Sequence, residues 1–458
     1  MASLSRLALI ALLLGAPIAP AQDKSVKEYA DALKHPDIRV RLAGLSGLAA
    51  AADEAGPYSE AVARLLKDTY PQVRRAAAQV LGLLGKDAEK AAPALAAALK
   101  DADPLVKQLS AKALIDIGGG SIPALAPLFK DPADASARLL AVHVIETIGD
   151  SAEAPKVLAL AVKDGAGKVR QAAIAALVKL KDSEGVDPKD VSAALSVALW
   201  DKATEVRLAA AAALIDMDKA GAIPLFLKAY KDDALAVRQT ALQALASLGD
   251  ELDMDAMLLL RGALEDKDAK IRQYAAAGLG KAGVKARELA EGKKVLAGLF
   301  KLMTDKEMKV REVAVYALGQ VGIDDEGELK MLAEGYKDMS PAVRAMTVQA
   351  LAQYSHDEAP ADWRKLVLKH VAEGLKDKDK RVVYTAGKTL IGEKTFAVPA
   401  LIKVIEGPAG ATRTVAAQVL GEIGEDATEA VPALQKMSRE GSAENRQAAL
   451  LALQKIMP

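Results

Sequence analysis

The groups that could carry covalent or metal chemistry are few and scattered. Histidine occurs four times, at His35, His143, His356 and His370, and cysteine not at all, which removes thiolate nucleophiles, thiolate metal sites and disulfides together. No serine stands in a G-x-S-x-G setting, and no serine, histidine and aspartate are placed so as to suggest a triad. His356-Asp357-Glu358 could offer a cation an imidazole and two carboxylates, but a stable site needs more ligands than one tripeptide supplies, and the segment reads as a polar loop. The acidic run Asp324-Asp325-Glu326-Gly327-Glu328 lacks the alternating spacing of a calcium loop and reads as a solvated turn. Gly278-Leu-Gly280-Lys-Ala-Gly283 fits G-x-G-x-x-G, a phosphate cradle only where it joins a strand to a helix, and it follows no strand. The expectation is a non-enzymatic chain without cofactor or metal.

The residue that does recur is arginine, usually after valine, as in KDTYPQVRRAAAQVLGLLG, KDGAGKVRQAAIAALVKL and KDDALAVRQTALQALASLG. Alignment on it gives Arg41, Arg74, Lys107, Arg138, Arg170, Arg207, Arg238, Arg272, Arg311, Arg344, Val383, Arg413 and Arg446, thirteen units spaced 30 to 39 residues apart. That period marks stacked helix hairpins, each touching only its neighbours. The fold expected is all-α, a right-handed α-solenoid of about thirteen hairpins forming a single domain over 22–458. The first helix of a unit is usually opened by proline, as at Pro93, Pro123, Pro155, Pro224, Pro399 and Pro432. A Lys-Asp turn follows, with the aspartate placed to cap the second helix. Counted from the arginine, positions −1, +3, +6, +7 and +10 form one apolar stripe, leaving +1, +5, +8 and +9 pointing away from the core. Ser25-Val-Lys-Glu28 is a capping box that starts the first helix. The two 39-residue spacings predict inserted turns or longer first helices around KARELAEGKKVLAGLF and HDEAPADWRKLVLKHVAEGL.

This pattern resembles HEAT repeats, specifically the short bacterial HEAT-like type also found in phycobilisome lyases, over residues 25–458. The resemblance implies an Asp–Arg ladder between units, mapped onto pairs six residues apart: Asp68 with Arg74, Asp164 with Arg170, Asp201 with Arg207, Asp305 with Arg311 and Asp338 with Arg344. It lapses where Asp377 faces Val383 and Gly407 precedes Arg413. The His-Glu pairs that carry metal in HEAT-type deoxyhypusine hydroxylases are missing, as is the cationic lining of HEAT-like DNA glycosylases. The resemblance also implies that the second helices line a concave side.

Twelve of the fifteen glutamines fall on positions +1, +5, +8 and +9, while the charged residues at +1 and +5 are limited to Arg75, Lys112, Glu312 and Lys388. An uncharged row of donors and acceptors suits peptide or glycan contacts. Eight of the fifteen aromatic residues lie between 266 and 396, which narrows the site to Tyr316, Gln320, Gln349, Gln353, Tyr354 and Tyr384. Trp363, Tyr336 and Tyr274 read equally as packing residues. The function expected is a non-catalytic scaffold gripping a protein or extended peptide along the concave face, with an accessory chromophore lyase or a glycan-binding solenoid as alternatives.

Lys plus Arg equals Asp plus Glu at 61 each, so no net field draws in nucleic acid or an anionic bilayer. The partner is therefore not nucleic acid, and the scaffold is expected to be a monomer. Arg6, the apolar run from Leu7 to Leu14 and the order Ala19-Pro20-Ala21 read as a secretory signal over 1–21, too short to span a membrane. Export to a periplasm or the exterior follows, and no mature membrane span is expected. Intact-mass measurement on exported protein should place the mature N-terminus at Gln22 or within a few residues of it; exported protein that retains Met1 would refute the assignment.

Overall fold

A computed structural model describes residues 25–457, apart from 290, 291, 357 and 409; the proposed signal segment lies outside them. Among the described residues there are thirteen helix hairpins and no strand. They gather into two compact units, one ending at Asp218 with six hairpins and one beginning at Lys219 with seven.

Local chemistry sets the helix limits. Ser25 and Glu28 close the expected capping box, and helix Val26–Ala32 starts there. Second helices run 12 to 14 residues, as in Pro71–Leu84, Pro104–Ile117 and Met308–Val321. Glycines with positive φ end many of them, including Gly85, Gly249 and Gly283, where an L side chain would be strained. First helices are mostly shorter and often tighten into 3-10 turns, as where Ser59–Arg64 runs into Leu65–Lys67. Proline opens Ala92–Ala98, Ala154–Ala161, Val398–Glu406 and Val431–Glu440. Pro123 and Pro224 instead fall inside their helices.

The expected core stripe is buried, as Val73, Ala77, Val80, Leu81 and Leu84 show, but the buried face is wider than one stripe. Positions +2 and +4, Ala76 and Ala78 in that helix, are buried too, because a second helix meets its own first helix and the second helices on both sides. Position +8, expected to point outward, lies on the seam between neighbouring second helices. A Cβ on Gly280 would stand 2.9 Å from the Ala317 Cα, and one on Gly319 the same distance from the Ala350 Cα. Backbones approach this closely only where both residues are small.

The arginine ladder is present, in a different register from the one expected. Arg272 donates from Nε and Nη2 to the Asp305 carboxylate of the next hairpin at 2.7 and 2.9 Å, while its Nη1 donates to the carbonyls of Asp266 and Lys267 in its own turn. Arg74 with Asp101, Arg138 with Asp164, Arg311 with Asp338 and Arg344 with Asp377 repeat the arrangement, and Arg41 pairs with Asp68. The aspartate six residues upstream thus contributes its carbonyl, and the carboxylate comes from the following unit. Each carboxylate has a further duty: Asp305 accepts from the Glu307 N–H and Asp338 from the Ser340 N–H. Asp305 and Asp338 are therefore not the helix caps; they fix the turn by bonding the cap residue's amide. After Asp377 the ladder lapses as expected, with Arg413 turned onto the Gly407 carbonyl.

Both long units use their extra residues to tie hairpins together. The inserted helix Val284–Glu288 carries Arg287, which pairs with Asp324 at 2.5 Å. The 13-residue first helix Ala361–Glu373 carries buried Arg364, which pairs with Glu393 at 2.8 Å and stacks 3.8 Å above the Phe396 ring.

Burial alone would raise the carboxyl of Asp305, but hydrogen bonds from Arg272 and the Glu307 amide outweigh it and hold the group below the usual aspartate value. Asp101, Asp338 and Asp377 behave alike. Groups depressed in this way stabilise the fold fully above their unfolded pKa of about 4, and that contribution is lost as pH falls through the folded values. Urea unfolding should therefore show near-constant stability from neutral pH to about 5 and a fall below about 4. In the same assay Asp201→Ala should cost roughly 1–3 kcal/mol by orphaning Arg170, with Asp201→Ala/Arg170→Gln recovering part of it. Near-zero loss in both variants would show the rung to be dispensable.

Candidate functional site

Once the core stripe and seam have claimed their positions, +1, +5 and +9 are what the second helices leave to solvent. In the later unit, second helices Met308–Val321, Pro341–Ala352 and Lys380–Gly392 lie side by side. They place Tyr316, Gln349 and Tyr384 on the same outward registers. Tyr384 is 70% exposed and Tyr316 39%. Gln349 is exposed on its helix, Gln353 is exposed at the C-cap of the same helix, and Gln320 is half-buried. None of the twelve glutamines in the row is buried, although Gln239 is committed to Asp268, donating to its carboxylate at 3.0 Å.

Tyr354 does not belong to this face. It is 7% exposed, and its hydroxyl donates to the Leu318 carbonyl of the preceding unit. The position follows the end of helix Pro341–Ala352, so helical register no longer governs where its ring goes, and the ring turns into the core. Burial is also the first cause that pushes its phenol above the ordinary tyrosine value. Tyr336 is likewise a packing residue, its hydroxyl buried without a hydrogen-bond partner among the described residues. Lys388, one turn beyond Tyr384, is exposed and has no ion pair among the described residues. It was legible in the sequence as a rare charge at +5, and it adds a cation beside the most exposed aromatic ring.

The remaining motifs resolve into architecture. Gly278 and Gly280 lie within helix Ala269–Ala282, and a Cβ on Gly278 would stand 2.7 Å from Leu260 Cδ1. This is helix packing, with no phosphate loop. Asp324, Asp325 and Glu328 bring one carboxylate oxygen each within 4.8 Å of the others. Arg287 answers that charge, and Asp325 is engaged as a helix cap, accepting from the Glu328 N–H at 2.8 Å. Burial pushes the Glu328 carboxyl up, with Asp325 and Asp324 adding to the shift while Arg287 and the Asp324 amide oppose it. His356 is exposed, and its neighbour Asp357 lies outside the described residues.

A shallow groove of about 680 Å³ lies in the earlier unit, on the first-helix side, bounded by Pro57, Pro93, Pro123, Glu60, Lys86 and Asp87. It has no aromatic ring in its walls, Glu60, Asp87 and Glu89 face only Lys86 and Lys90, and it is remote in sequence from the tyrosine face. The tyrosine face, with two exposed rings among amides, is the stronger candidate.

Stacked helix hairpins joined by an arginine ladder define an α-solenoid, a class whose members present long helical faces. The HEAT-repeat family model matches residues 58–146, 191–260 and 256–352, together more than half of the sequence, and the chain belongs to that family. No curated protein matches it. Among solved structures it is similar to Kap95p in a structure with RanGDP, at 16% identity and a TM-score of 0.46, over 94% of this chain and 66% of that one. It is also similar to the karyopherin Kap121p bound to the extreme C-terminus of the protein phosphatase Cdc14p, at 16% identity and a TM-score of 0.44, over 99% and 52%. Yeast importin-beta gives 16% identity and a TM-score of 0.43, over 94% and 68%. The chain spans between about half and two thirds of the length of these proteins.

Proposed function

We propose that the protein is an exported, non-catalytic HEAT-repeat scaffold whose second-helix face grips an extended segment of a partner protein. The observation that carries this reading is the pair of exposed tyrosines, Tyr316 and Tyr384, set among Gln349 and Gln353 on adjacent helices. Tyrosine loses little conformational freedom when a partner covers its ring, and its hydroxyl still finds a hydrogen bond there. Glutamine amides can both donate to and accept from a peptide backbone. A catalytic reading has no comparable support, since the histidines and acidic groups are scattered or engaged in the fold. The face is the concave side of the stack in this account, and the scaffold works as a monomer.

The test is affinity measurement with whatever partner crosslinking in the native envelope recovers. Tyr316→Ala and Tyr384→Ala should each weaken binding by roughly 1–3 kcal/mol with the melting temperature nearly unchanged, because both rings are exposed and serve the partner more than the core. Gln108→Ala and Gln171→Ala, exposed in the other unit, should change little. Equal losses from the glutamine pair would extend the site along the whole row, and no loss from either tyrosine would remove it from this face.

A further inference from the structure

We propose that the segment gripped by the tyrosine face is acidic: an extended peptide with two carboxylates about eight residues apart, one meeting Lys281 and the other Lys388. The inference rests on that face being the binding site and adds the chemistry of what it binds. Positions +1, +5 and +9 of the thirteen second helices carry ten charged side chains. Eight of them are neutralised within the chain. Arg75 pairs with Asp103, Lys112 with Asp116, Lys179 with Glu146, Asp216 with Lys181, Glu312 with Lys309 and Glu422 with Lys455. The two that remain are Lys281 and Lys388, both exposed and both without an ion pair among the described residues.

These two lysines bracket the tyrosine face. Lys281 stands at +9 of helix Ala269–Ala282, which packs against Met308–Val321, and Lys388 at +5 of Lys380–Gly392, which packs against Pro341–Ala352. On the two helices between them, Tyr316, Gln320, Gln349 and Gln353 occupy the same registers. Glu312 is the one carboxylate at these registers on the four helices, and Lys309 holds it at 2.7 Å. The face thus offers two cations, two phenols and a run of amides, with its own anion already engaged. Charge complementarity selects a partner of the opposite sign.

Stacking sets the spacing. From Lys281 to Lys388 the face crosses three joints, roughly 24–30 Å at the usual distance between packed helices, with one helical turn of offset. An extended chain covers that span in about eight residues at roughly 3.3 Å each. Its N–H and carbonyl groups meet the glutamine amides on the way. Lys388 lies one turn beyond Tyr384, so a carboxylate drawn to it sets the adjoining part of the peptide over the most exposed ring. Exposed lysine–carboxylate pairs are modest in strength and screened by salt, and they decide the orientation and choice of partner more than total affinity. Neither lysine is spent on the fold, so glutamine at either position should leave the melting temperature unchanged.

Random peptides of about sixteen residues displayed on phage and panned against the full chain supply the probe, long enough to cover the span estimated above. Peptides whose retention needs Tyr316 and Tyr384 should be enriched in paired Asp or Glu about eight residues apart, and panning against Lys281→Gln/Lys388→Gln should abolish that enrichment. For one selected peptide followed by fluorescence anisotropy, Lys281→Gln and Lys388→Gln should each weaken binding about fivefold, Lys388→Glu about tenfold or more, and Lys388→Arg little. Changing the peptide's acids to amides should weaken binding to the natural chain but not to the doubly substituted one. Tyrosine-dependent peptides without acidic preference, or a preference that survives the double substitution, would overturn the proposal and leave the face as a binding site. Failure to select any tyrosine-dependent peptide would remove the face and the proposal together. A polyuronate bound through the same lysines, with no peptide selected, would make the occupant an acidic glycan and overturn it as well.

Discussion

Arg41, Arg74, Arg138, Arg170, Arg272, Arg311 and Arg344 are each shared between two hairpins, and this sharing fixes how those hairpins stack. One edge of the guanidinium is bound by carbonyls of its own Lys-Asp turn, and the other by the carboxylate of the next. That carboxylate also holds the amide of the residue capping its own second helix. A single side-chain pair therefore sets the distance between units, the conformation of a turn and the starting point of a helix. Arginine suits this better than lysine because its planar fork meets a carboxylate with two donors and still has a third for the turn. Where lysine takes the position, Lys107 reaches Asp134 with one amine at 3.1 Å, outside the paired geometry.

Fixed stacking in turn decides which residues are available for binding. Ala and Gly line the joint because second helices in this register approach backbone to backbone. The apolar stripe faces the first helices, and the residual surface is the narrow band at +1, +5 and +9. The tyrosines and glutamines occupy that band, and their exposure follows from the ladder that positions their helices.

Much of this was legible from the period of the arginine and the apolar stripe, which locate thirteen hairpins, the capping box at Ser25 and the lapse of the ladder after Asp377. The partner of each arginine was not legible. An Asp and Arg six residues apart look like a local pair, and only the stacked geometry shows that the carboxylate belongs to the next joint and the carbonyl to the local one. Position +8 was misread for a related reason: helical periodicity describes one buried face, while a second helix in a stack has three neighbours. Tyr354 turned inward because it stands past the end of its helix. Arg287 and Arg364 were the least visible, since nothing in the repeat marks an arginine outside the ladder register except that each falls in one of the two long units.

The account depends on the arginine–aspartate rung being a net source of cohesion, and a double-mutant cycle on Arg311 and Asp338 measures that term directly. Arg311→Gln removes the charged fork, and Asp338→Asn keeps an oxygen for the Ser340 amide while removing the carboxylate charge. The account predicts a coupling of about 1.5 kcal/mol or more in unfolding free energy, as for a desolvated two-donor pair. A coupling below about 0.5 kcal/mol, the value of a solvated surface pair, would contradict it.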